Sequence, residues 1–162
     1  MKQLLLIRHA KSDWNDSSID DIDRPLNERG KRDAPAMAHR LLDKKINIDA
    51  FISSPAKRAK KTASVFAKEL NHDKEELTLV NELYLAGEEN FYKVISDVSN
   101  KFDTIAIFSH NPGITDFANQ LTDARIDNIP TCGIFAVTVD CKHWNDFRHA
   151  KKEFWFFDYP KA

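Results

Sequence analysis

Cysteine is scarce in this chain. Two thiols, Cys132 and Cys141, in 162 residues make no disulfide framework, and a reduced, cytoplasmic protein is the expectation. Net charge is also nearly absent, at −1 from 24 basic and 25 acidic side chains. That balance argues against bulk electrostatic attraction to nucleic acid or to a membrane surface. No long apolar run occurs: the N-terminal one, Leu4-Leu5-Leu6-Ile7, is ended by Arg8. It is too short for a secretory h-region and far short of a membrane span. With only four glycines there is no Gly/Ser linker, and no internal repeat or low-complexity tract is present. A single domain over residues 1–162 is the expected organisation.

What the chain does contain is short aliphatic runs, each closed by residues able to do chemistry. Leu4-Leu5-Leu6-Ile7 leads into Arg8-His9. Ala50-Phe51-Ile52 leads into Ser53-Ser54-Pro55-Ala56-Lys57-Arg58, and Thr104 to Phe108 into Ser109-His110-Asn111-Pro112-Gly113. Runs of this kind read as strands buried on both faces. Helical spacing of Ala34, Met37, Ala38, Leu41 and Leu42 predicts a helix capped by Asn27 and kinked or begun at Pro35. Ser54-Pro55 reads as the cap and first residue of a helix reaching about residue 70. Further helices are expected over Glu88–Val98 and from Asn111-Pro112 to Leu121, and strands at 77–80, 134–139 and 154–157. The acidic stretch 13–25 reads as a loop; it lacks the glycine and closing glutamate of a calcium-binding hand. The predicted class is α/β, a three-layer α/β/α sandwich around a mostly parallel sheet, with antiparallel pairing at the C-terminus.

In open α/β sheets ligands sit beyond the carboxyl ends of the strands. Three such ends would offer Arg8, His9, Arg58 and His110. Guanidinium forks match phosphate geometry and stay charged, and Arg58 falls in the first turn of a helix, where free N–H groups favour an anion. A neutral histidine is a natural covalent nucleophile toward phosphorus.

These residues carry a family resemblance. Arg8-His9-Ala10-Lys11-Ser12, Arg24-Pro25-Leu26-Asn27-Glu28-Arg29-Gly30, Ser54-Pro55-Ala56-Lys57-Arg58-Ala59, Asn81-Glu82-Leu83-Tyr84 and Ser109-His110-Asn111-Pro112 together resemble the histidine phosphatase superfamily, the phosphoglycerate-mutase-like group. Within it they are most similar to the short SixA-like phosphohistidine phosphatases. The resemblance implies that His9 attacks phosphorus and becomes phosphohistidine, while Arg8, Arg58 and His110 surround the phosphoryl oxygens. Ser12 and Asn15 match phosphate-proximal positions in some relatives, and Glu82 matches the general acid of some larger ones. It further implies no metal or other cofactor. Ala10 stands where the superfamily usually has glycine, and a slightly altered pocket floor is expected from its methyl group.

The expected partner is a phosphorylated substrate, with phosphohistidine in a protein favoured because imidazole leaves readily. A small-molecule phosphomonoesterase or mutase using Glu82, and an idle phosphate- or phosphoprotein-binding module, are the alternatives. Nucleic acid and membrane are not expected partners, and the chain is expected to be a monomer or weak homodimer. Lys57-Arg58-Ala59-Lys60-Lys61 reads as the solvated flank of a helix with Arg58 turned inward. Cys132, Cys141, His143 and His149 fit no closed zinc pattern. Phe154-Trp155-Phe156-Phe157 reads as a buried strand or, if one face is bare, a dimer contact.

Overall fold

Alternate residues of the first strand, β1 (Lys2–Arg8), enter opposite cores: Leu4 and Leu6 pack on one side and Leu5 and Ile7 on the other. A strand buried on both faces needs a helical layer above and below it. In the computed structural model, which describes residues 1–73 and 76–162, that is what forms. Strands β2 (Ala50–Ser53), β3 (Leu77–Leu79), β4 (Thr104–Ser109), β5 (Ile134–Val139) and β6 (Lys152–Asp158) join β1 in one sheet of order β3-β2-β4-β1-β5-β6. The first four in that order are parallel, and β5 runs antiparallel to both β1 and β6. Helices α1 (Glu28–Asp43) and α2 (Lys57–Glu69) cover one face through Ala34, Met37, Ala38, Ala63 and Phe66. Helices α3 (Glu88–Ser96) and α4 (Gly113–Leu121), with a 3-10 turn at Trp144–His149, cover the other through Phe91, Ile95, Phe117 and Trp144. The α/β/α sandwich and its sheet polarity are as expected.

Local departures have local causes. Pro35 neither starts nor ends α1: Asn27 caps the helix by accepting from the Gly30 N–H (2.9 Å), and the helix runs through the proline. Helix α2 begins at Lys57 with Ala56 as its cap residue, three residues after Ser54, whose hydroxyl accepts from the Ala56 N–H before the helix starts. Helix α3 stops at Ser96, and the acidic loop holds a 3-10 turn at Asp21–Asp23. Strand β6 is an edge strand rather than a buried one: Phe154 is exposed, and Trp155, Phe156 and Phe157 are half-buried. The register shift opposite Ala136 and Val137 leaves Trp155 as an extra residue on β6, so Trp155 and Phe156 both pack toward the α1/α2 core while Phe157 packs toward the other.

Register sets up the site. Arg8 pairs with Ser109 across β1 and β4, and Ser53 pairs with Phe108 across β2 and β4. Three neighbouring parallel strands therefore end level with one another. The residue that follows each end, His9, Ser54 and His110, leaves the sheet at the same edge.

Candidate active site

His9 and His110 leave their strands side by side, with ring centroids 5.1 Å apart and planes inclined at 52°. Both are buried, at 6% exposure each. His9 Nδ1 donates to the Ala10 carbonyl (2.8 Å), which leaves the Nε2 lone pair unengaged. The Ser54 hydroxyl, which accepts from the Ala56 N–H (3.2 Å), is hydrogen-bonded to His110 Nε2 at 2.8 Å. With the hydroxyl donating in that pair, the proton of a neutral His110 ring resides on Nδ1. Ser54 was expected as a helix cap; the structure makes it the partner that orients His110.

Arg8 is tied by Nη1 to the Ile129 carbonyl (3.0 Å), and the loop before β5 clasps the end of β1 through the Cys132 N–H, which donates to the Arg8 and His9 carbonyls. Arg58, buried in the first turn of α2, donates from Nη1 to the Asp21 carbonyl (2.6 Å) and from Nη2 to Asp21 Oδ2 (3.1 Å). Three buried donors in this group, Arg8 Nε, Arg58 Nε and His110 Nδ1, have no protein partner among the described residues. Buried donors are rarely left alone, so three around one imidazole mark a place for an anion.

Electrostatics agree. Burial, reinforced by His110, Arg58 and Arg8, holds the His9 imidazole down at about 3, against a partly opposing hydrogen bond from Ala10. Burial and then Arg58 lower His110 to about 4, with Arg24 and Arg8 adding to the effect and Asp21 opposing it. Arg8 is lowered by burial and by Arg58. Like charges pressed together in a poorly hydrated pocket are relieved by an anion. At neutral pH both rings are neutral.

The remaining expected residues fare differently. Ser12 is buried, but its hydroxyl accepts from Arg24 Nη1, so it touches a positioning arginine. The Asn15 side chain is exposed, and its backbone N–H closes a turn on Asp13 Oδ1 (2.8 Å). Glu82 sits exposed on the 3-10 turn Asn81–Leu83 and pairs with none of the site's arginines or histidines among the described residues. The same turn delivers Tyr84 instead. Its ring meets His110 edge-on at 5.5 Å, and its hydroxyl donates to Asp21 Oδ2 (2.5 Å).

Sequence reasoning did not single out Arg24 or Asp21. Arg24 is buried, ion-paired to Asp21 (2.7 Å) and stacked under Trp14 at 3.5 Å. Its signal was available, because it opens the Arg24-Pro25-Leu26-Asn27 motif. Asp21 gathers Arg24, Arg58 and Tyr84; those hydrogen bonds, Arg24 first, hold its carboxyl well below the usual carboxylate range. One aspartate among several in an irregular loop gave no sign of this.

Two supports explain the motifs. The Ala10 N–H donates to Thr62 Oγ1 (3.0 Å), and that hydroxyl donates to the Arg58 carbonyl (2.8 Å), tying the strand end to α2. Ala10 is buried and outside the left-handed region, so its backbone makes no demand for glycine. Gly30 does answer a demand: a Cβ there would stand 2.2 Å from the Lys11 carbonyl oxygen. Its bare Cα lets α1 abut the loop after His9. Cys132 and Cys141 are free, and no cluster of three or more His, Cys, Asp or Glu able to hold a metal occurs among the described residues. No helix among them is long and apolar enough to cross a membrane.

Comparison with known proteins gives the following. Residues 4–90 match the histidine phosphatase superfamily (branch 1). A protein of Mycobacterium tuberculosis is 31% identical over 150 residues, covering 86% of this chain and 90% of that one. A 2,3-bisphosphoglycerate-dependent phosphoglycerate mutase of Thermoplasma acidophilum is 46% identical over 76 residues, 45% of this chain and 37% of the mutase. Among solved structures, one from Agrobacterium tumefaciens, described as the phosphohistidine phosphatase SixA, superposes with a TM-score of 0.82 at 23% identity, covering 98% of each chain. At that identity the superposition speaks for the fold.

Proposed function

The chain belongs to the histidine phosphatase superfamily, and from that membership we propose that it hydrolyses a phosphoryl group through a covalent intermediate on His9, acting on phosphohistidine in a protein. The observation that carries the reading is the arrangement around His9. Its Nδ1 is committed to the Ala10 carbonyl, and three unpartnered buried donors accompany it.

Phosphoryl transfer asks the protein for positioning and for compensation of charge on the equatorial oxygens. His9 Nε2 attacks phosphorus in line with the leaving atom while Arg8, Arg58 and the His110 Nδ1–H hold the oxygens. The P–Nε2 bond forms as the bond to the leaving nitrogen breaks; that nitrogen keeps the electron pair and takes a proton from solvent. Water then attacks phosphohistidine-9, the P–Nε2 bond breaks, and inorganic phosphate and neutral His9 are restored.

The leaving group is argued from acidity. An alkyl phosphate departs as an alkoxide and gains ~10²–10⁴-fold from a proton donor. Asp21, the carboxyl hydrogen-bonded to Arg58, is held ionised by its arginines and by Tyr84, and Glu82 is exposed and forms no ion pair with the site's arginines or histidines among the described residues. A leaving imidazole needs little help, which favours phosphohistidine over alkyl esters and over the mutase reading. We further propose that residues 1–162 act as one domain, without a metal.

The test is direct. Brief exposure of the protein to a radiolabelled phosphohistidine protein leaves acid-labile, alkali-stable label on His9, and His9→Ala abolishes both label and turnover of an aryl phosphate while the circular dichroism spectrum is unchanged. Undiminished turnover by His9→Ala overturns the nucleophile assignment. Glu82→Gln leaves phosphohistidine turnover unchanged; selective loss of alkyl phosphate turnover would instead favour the small-molecule reading. A protein that binds phosphate without ever acquiring label would be a binding module.

A further inference from the structure

Helix α2 carries its charge at the wrong end. Lys57, Arg58, Lys60 and Lys61 crowd its first turns, where no acidic residue is present. The N-terminus of a helix already bears partial positive charge, so cations there cost stability. Arg58 is explained by the site. The lysines are not: Lys57, Lys60, Lys61 and, two turns further on, Lys68 make none of the ion pairs found among the described residues.

These exposed lysines border a groove of about 630 Å³ between α1 and α2, which opens beside Lys57 and Pro25, the neighbours of Arg58 and Arg24. A second stretch, of about 510 Å³, shares Leu26, Lys31, Lys61 and Ser64 with the first and extends it to Lys68. Its floor is apolar, formed by Leu26, Pro35 and Val65. From Lys57 to Lys68 the helix spans about 17 Å, the reach of about five residues of extended chain. The groove therefore starts next to two site arginines and runs away from them, with cations along its rim.

We propose that this groove docks an acidic stretch of the polypeptide that bears the phosphorylated residue. The proposal rests on the reading of the site as one that takes a protein-borne phosphoryl group. Charge complementarity names the occupant: several lysines without acidic partners, on a chain of net charge −1, call for carboxylates. The apolar floor asks in addition for aliphatic side chains, which a nucleic acid backbone does not offer.

Two synthetic phosphohistidine peptides provide the test, one flanked by glutamate and leucine and the other with glutamine in place of every glutamate. Wild type is compared with Lys61→Glu/Lys68→Glu, two exposed changes at none of the site's histidines or arginines. The expected result is a kcat/KM for the glutamate peptide about tenfold above that for the glutamine peptide, falling with added salt and collapsing to about unity in the variant. Aryl phosphate turnover stays unchanged. Turnover of both peptides without preference, or a preference that survives the double substitution, overturns the docking proposal and leaves the phosphatase reading standing. Fluorescence anisotropy of the labelled, unphosphorylated glutamate peptide reads the groove independently of turnover. Binding lost in the variant, with no turnover of any substrate, would support docking and defeat the phosphatase reading. Tighter binding of a DNA duplex than of the peptide would overturn the assignment of occupant.

Discussion

Acid should strip stability from this protein through the same two rings that make its site. The His9 imidazole is held at about 3 and that of His110 at about 4, against about 6.5 in an unfolded chain. Between those values the unfolded chain binds protons that the folded one refuses, so stability is full above the unfolded value and falls as the pH falls. On going from about pH 7.5 to about pH 4.5 the deficit for His9 is about two pH units, or about 2–3 kcal/mol at about 1.4 kcal/mol per unit. His110 contributes slightly less. Urea denaturation of wild type and His9→Gln at the two pH values isolates the His9 part, because His110 and the depressed carboxyl of Asp21 titrate in both proteins. The stability of wild type relative to the variant should drop by about 2–3 kcal/mol across the interval. Saturating tungstate, an oxyanion, should flatten the wild-type dependence by favouring protonated rings. Parallel pH profiles for the two proteins would refute the burial argument for His9.

Other consequences are equally open to measurement. Arg58→Ala should lower kcat/KM on an aryl phosphate by about 10²–10³-fold, by analogy with loss of a preorganised oxyanion donor. Arg58→Lys should recover little of it, because the guanidinium fork also holds Asp21 through two bonds; a loss below tenfold in either variant would contradict a phosphate role. Gly30→Ala should cost about 1–3 kcal/mol in urea unfolding, because its Cβ would collide with the Lys11 backbone oxygen. Lys60→Glu should raise stability by about 0.3–1 kcal/mol through the helix dipole, and a destabilised variant would remove the argument that these lysines are held against the fold's own interest.

How far the sequence reached is visible residue by residue. Strand runs closed by Arg8-His9 and by His110 were legible because apolar periodicity and a polar stop are local facts, and the ends of buried parallel strands are where an α/β fold exposes side chains. The same locality gave Asn27 as a cap and the arrival of Arg58 in a first helical turn. The second partner of Ser54 was not legible, because only the packing of β2 beside β4 brings His110 within 2.8 Å of its hydroxyl. Phe154 to Phe157 gave no warning of an edge strand, since whether a neighbour covers a strand is decided elsewhere in the chain.

Periodicity and spacing thus determined the layers and the strand polarity. Tertiary structure decided which ring nitrogens are spoken for, which loop residues reach inward and which do not. Asp21 and Tyr84 meet at 2.5 Å across 63 positions of chain, while Glu82, two residues from that tyrosine, stays exposed. Pair registry between parallel strands brings His9 beside His110 and turns the α2 lysines into one wall of a groove. Such proximity is a property of how separate segments pack, and no local pattern of residues encodes it.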